Sequence, residues 1–226
     1  MKEIEDFLPR LVKQTFNEMM RCNLTDVITM MQSFYKLWDK QVFKKSLPIE
    51  NVFKNCDAYL SEYLGQSKKD ITGSQFASLV ELIANSHASG LHVFSQKVLH
   101  NLQHIFLNDN SELYIFTMRD IVKLLKGFES INQYFNREKV INGLMNLVNE
   151  ADVYEDEGFL EVLEECNRRG LIEKHQELGI KARAYFQERF AFMDKDAILG
   201  FLELFRELGF LLEDHLICGM LRDHLH

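Results

Sequence analysis

One spacing occurs five times along the chain and constrains its fold more than any other feature. Two apolar residues, a free position, two apolar residues, two free positions and a last apolar residue appear at Val27-Ile28-Met30-Met31-Phe34 and at Phe76-Ala77-Leu79-Val80-Ile83. The spacing returns at Ile121-Val122-Leu124-Leu125-Phe128, at Phe159-Leu160-Val162-Leu163-Cys166, and at Ile198-Leu199-Phe201-Leu202-Phe205, where Gly200 takes a free position. Residues at i, i+3, i+4 and i+7 share one side of a 3.6-residue helix, so each copy predicts an amphipathic helix with one buried stripe. The copies begin 49, 45, 38 and 39 residues apart. A period of that size marks stacked helical hairpins, because one hairpin cannot bury its apolar face alone. The expected fold class is all-α, an α-solenoid of about five antiparallel helix pairs, with repeat helices starting near residues 24, 72, 117, 156 and 194.

Local signals support these helices. Asn23 with Asp26, Thr72 with Gln75 and Thr117 with Asp120 have the three-residue separation at which two side chains satisfy the free amides of a helix start. Gly65, Gly90, Gly170 and Gly209 are placed to end helices. Between the repeats, partner helices are expected from Ser46 to Gly65, Leu91 to Leu107, Asn136 to Asn149 and His175 to Phe192, the last with Ile180, Tyr185 and Phe186 facing inward. A final helix is expected over 213–225, and an amphipathic stretch over 2–21 should cap the array. No stretch is long or polar enough to read as a linker, so 1–226 is expected to form a single helical-repeat domain.

The charge is acidic overall, −8, and unevenly spread. Residues 1–113 carry 12 Lys/Arg against 13 Asp/Glu, whereas 114–226 carry 14 against 21. A surface built mainly for phosphate is normally basic, so nucleic acid is the disfavoured partner. No apolar run is long enough to span a membrane. The opening MKEIEDF is too acidic for a transit peptide and lacks the apolar core of a secretory signal. Cys22, Cys56, Cys166 and Cys218 share no metal-binding or redox spacing and are expected to be reduced thiols.

Three stretches are candidate contact surfaces. Glu150 to Glu165 holds eight acids and no base. Acids ahead of a helix stabilise its positive end, which accounts for Glu155, Asp156 and Glu157. Glu161, Glu164 and Glu165 lie deeper, and with the other three they form a candidate docking face for a basic protein, the simpler reading being an ordinary solvated helix face. Near the C-terminus Phe210, Leu211, Leu212, Leu216, Ile217, Met220 and Leu221 crowd more apolar surface than one helix stripe buries, so Phe210, Leu212, Ile217 and Leu221 are candidates for contact with another subunit, the alternative being that the last two helices fold over and bury them. At Phe34–Lys45, Lys36, Lys40, Lys44 and Lys45 alternate with aromatics including Trp38, as in proteins that stack single-stranded bases. The simpler reading of that segment packs the aromatics inward with the lysine stems laid over them.

No catalytic chemistry is legible. There is no phosphate-binding glycine loop, no nucleophile motif, and no expected cofactor, metal or small-molecule substrate. His100 and His104 share a helix face, but HNLQH lacks a catalytic glutamate and a third ligand, so they are expected to face solvent. His175 and His215 stand beside acids at helix ends.

The patterns DIVKLLKGFESI and AILGFLELFREL resemble the degenerate helical-hairpin repeats of the FAST-kinase-like and heptatricopeptide-type families, and HEAT-like repeats are similar. The resemblance covers about residues 24–226 and implies an α-solenoid, a mitochondrial location and a role in RNA processing, ribosomes or other large assemblies. Acidity and the absence of paired polar base-reading positions set the chain apart from the RNA-binding members. The resulting expectation is a non-catalytic scaffold or adaptor that contacts other protein subunits in a large, mitochondrial assembly such as a respiratory complex or ribosome. The alternatives are an RNA-binding repeat protein in organellar RNA processing or translation, and a cytoplasmic location.

Overall fold

The computed structural model describes residues 22–39, 49–66, 71–108, 115–131, 136–150 and 158–209, together with Gly219. Among the described residues the chain is all-α, with nine α-helices, one 3-10 turn and no strand. They are α1 (Leu24–Asp39), α2 (Ile49–Tyr63), α3 (Gly73–Ala88), α4 (Gln96–Asn108), α5 (Met118–Ser130), α6 (Arg137–Glu150), α7 (Phe159–Arg168), α8 (Gln176–Arg189) and α9 (Lys195–Glu207), with the 3-10 turn Phe190–Phe192 after α8. The expected helix over 2–21 lies outside the described residues, as does that over 213–225 apart from Gly219, which is helical.

The five copies of the spacing fall on α1, α3, α5, α7 and α9. Phe34, Ile83, Phe128, Cys166 and Phe205, which close the pattern, are all buried, as are Val27, Phe76, Ile121 and Phe159, which open its first four copies. The fifth copy departs from expectation at its opening. Ile198 and Leu202 are half-buried and Leu199 is 49% exposed, although Phe201, Leu204 and Phe205 of the same helix are core.

Helix starts follow a common rule. The capping residue stands four positions before the residue that opens the repeated spacing in α1 (Asn23), α3 (Thr72), α5 (Thr117) and α9 (Asp194), which places the cap one turn ahead of it. Thr72 accepts from the Gln75 amide at 3.2 Å, and its own amide donates to Gln75 Oε1 at 2.8 Å. Thr117 and Asp120 make the same reciprocal pair at 3.2 Å each way. These bonds satisfy amides that a helix start leaves without partners. Helix α7 begins at Gly158 without a side-chain cap.

Helix ends follow another rule. Gly90, Gly170 and Gly209 adopt φ of +69°, +63° and +74°. After α3 the Gly90 amide donates to His87 O and the Leu91 amide to Ser86 O. After α7 the Gly170 amide donates to Asn167 O and the Leu171 amide to Cys166 O. This pair of bonds closes the last carbonyls and needs a left-handed residue, which glycine adopts without steric cost. The reversal after Gly90 also corrects an expected boundary. Residues 91–95 run as a connection in which Leu91 and Phe94 are buried, and α4 begins only after Ser95.

The chain gathers into two compact units, Met1–Phe116 with Lys123–Leu144 and Thr117–Val122 with Met145–His226, where the sequence suggests one continuous domain. In the first, α1 packs on α2 and α3, and α2 packs on α4. Phe106 lies 6.3 Å from Phe76 and 5.3 Å from Phe128, ring centre to ring centre, and Phe53 meets Phe94 edge-on. In the second, α7 packs on α9. Tyr185 and Phe186 of α8 insert against Phe159, Phe201 and Phe205. Aromatic pairs at these separations add roughly 0.5–1.5 kcal/mol each beyond the area they bury.

Two glycines let neighbouring helices close up. A Cβ on Gly127 of α5 would stand 2.7 Å from Val80 Cγ1 on α3, and one on Gly200 of α9 would stand 2.8 Å from Leu160 Cδ2 on α7. Ile180 is a further correction. Expected inward, it is 68% exposed. The buried stripe of α8 is Leu178, Gly179, Ala182, Tyr185 and Phe186, and Ile180 lies two residues, about 200° of turn, beyond Leu178.

Candidate docking surface

The acidic run divides once it is folded. Glu155, Asp156 and Glu157 lie outside the described residues. Glu161 and Glu164 are exposed on α7, while Glu165, one residue further round the helix, is buried. The expectation that Glu165 belongs to an outer acidic face is therefore corrected. Its carboxylate accepts from Arg168 Nη2 at 2.6 Å and from Arg169 Nε at 3.0 Å, with Arg169 Nη2 also bonded to it. The Arg169 side chain is only 4% exposed, so this is a buried ion pair at the end of α7. Burial alone would raise the Glu165 pKa, but hydrogen bonds and charge from Arg168 and Arg169 hold it down at about 2.

Outward, α7 and α9 enclose a shallow groove of about 270 Å³, with Glu164, Asn167 and Arg168 on one wall and Gly200, Glu203 and Glu207 on the other. Gly200 brings the two helices close enough for these acids to crowd together. Partial burial, then the charges of Glu161 and Glu203, push the Glu164 pKa above its usual value. Asn167 Nδ2 donates to Glu207 Oε2 at 2.6 Å across the seam. Such a surface favours a basic side chain, whose charge would relieve the repulsion. Glu203 and Glu207 lie about forty residues from the acidic run, and only the packing of α9 on α7 adds them to it.

The first unit holds a larger cleft, about 680 Å³, onto which the starts of α1 and α3 open. Its polar groups engage one another. Tyr59 Oη donates to Cys22 O at 3.1 Å, Gln75 Nε2 donates to Thr25 Oγ1 at 2.8 Å, and Tyr63 stacks on Tyr59.

The other described candidate residues do not come together. On α1, Lys36 is exposed, Trp38 is half-buried and Phe34 is core, and the two-residue step from Lys36 to Trp38 places them on opposite sides of the helix. Lys40, Lys44 and Lys45 lie outside the described residues, as do Phe210, Leu212, Ile217 and Leu221. His100 and His104 are both exposed on α4. Among the described residues no group of three His, Cys, Asp or Glu side chains could hold a metal ion. Burial pushes the Cys56 and Cys166 thiols up to about 12, where they are protonated and unreactive.

One cluster escapes sequence reading. Asp57, on α2, accepts from Ser95 Oγ at 2.7 Å, from the Ser95 amide at 2.9 Å and from His92 Nε2 at 3.3 Å. Burial would raise its pKa, but the hydrogen bonds from His92 and Ser95 outweigh it and hold the carboxyl below its usual value. Serine, histidine and aspartate are the types of a nucleophilic triad, yet here hydroxyl and imidazole both donate to the carboxylate. In a triad the imidazole must accept the serine proton. The cluster fastens α2 to the start of α4 instead. No family model matches this chain, and neither a curated protein nor a solved structure matches it.

Proposed function

We propose that this protein is a non-catalytic scaffold or adaptor subunit of a large multi-protein assembly, and that the α7–α9 groove receives a basic segment of a partner subunit. The observation that carries this reading is the gathering of Glu164, Glu203 and Glu207 onto one exposed seam. Packing of motif helix on motif helix, α1 on α3 and α7 on α9, supports the solenoid of antiparallel pairs as the underlying architecture. Such arrays present long surfaces at little folding cost, because each hairpin depends only on its neighbours. The resemblance to organellar repeat families makes a mitochondrial assembly, a respiratory complex or ribosome, the first place to look.

The test is recovery of the tagged protein from its native source, with identification of what accompanies it. The parent should bring down a constant set of subunits, and Glu164→Lys with Glu203→Lys should lose the one bearing the basic segment while remaining folded. Recovery of an unchanged set by the folded double variant would refute the groove as the contact. Retention of the parent on an RNA column at low salt, removed by Lys36→Glu, would instead favour the RNA-binding alternative.

A further inference from the structure

We draw no further inference here: the strongest candidate, the half-exposed apolar stripe of Ile198, Leu199 and Leu202 on α9, carries none because nothing among the described residues shows what covers it.

Discussion

Glu165 is a buried carboxylate held by two consecutive arginines, and its energetics follow from that geometry. Its pKa falls from an ordinary 4.5 to about 2 on folding, so the folded chain binds this proton less readily than the unfolded one. Its stabilising contribution is therefore complete above about pH 5 and fades as pH drops toward 2. The Asp57 carboxyl is depressed as well and adds to the same acid-side loss. In urea titrations across that window, Glu165→Gln should lose much of the parent's acid sensitivity, at the expense of lower stability at neutral pH. Arg169→Met should also lower stability at pH 7, by less than the roughly 3–5 kcal/mol of a wholly unpaired buried charge, because Arg168 still reaches Glu165 from the surface. An Arg169→Met variant as stable as the parent would show that the pair is not part of the core.

At the scale of the helix, the decisive contacts are those of a missing side chain. A Cβ on Gly73, the first residue of α3, would stand 2.4 Å from the backbone oxygen of Ile115 and 3.0 Å from its carbonyl carbon. Backbone cannot swing aside, so Gly73→Ala should cost about 1–3 kcal/mol, the range for overpacking. Gly200→Ala meets only the far end of Leu160, which can turn away, and should cost less. Thermal melts of the two variants compare them directly, and an equal loss would mean that α3 relaxes where we expect it to be held. The register of the motif is tested by Phe128→Ala, which should cost roughly 3–5 kcal/mol. A parent-like melt would show that the pattern's closing position is not core.

These helices were legible because their signals are local. Apolar period, cap and terminal glycine all lie within one or two turns, and Asn23, Thr72, Thr117, Gly90 and Gly170 do what their neighbours imply. What stayed hidden is set by packing. Ile180 and Leu199 are as apolar as their buried neighbours, and hydropathy alone does not say which side of a helix finds a partner. Asp57 meets His92 and Ser95 across 35 and 38 residues of chain, a pairing that no short window contains. The inward turn of Glu165 was within reach, since Arg168 and Arg169 follow at the i+3 and i+4 positions where helical side chains meet.

For the whole molecule, charge and architecture point the same way. The acidic surplus falls in the second half of the sequence, where α7 and α9 bring part of it together on one seam. An exposed interaction of that kind is screened within about 10 Å at 0.1 M salt, so a partner held there should dissociate as salt rises. The second unit also contains a lysine with an unusual position. Lys181 of α8 donates at 2.8 Å to both Val148 O and Asn149 O, two carbonyls in the last turn of α6. An ammonium held in this way makes a poor nucleophile, whereas Lys174 and Lys195 are exposed. Brief treatment with an acylating reagent, followed by mass spectrometry, should label Lys174 and Lys195 first and spare Lys181 until α6 and α8 come apart. Equal labelling of all three in the folded protein would deny the contact. Lys181 thus serves as an internal chemical reporter, its protection recording whether this part of the chain is intact in any preparation or mixture in which the protein is found.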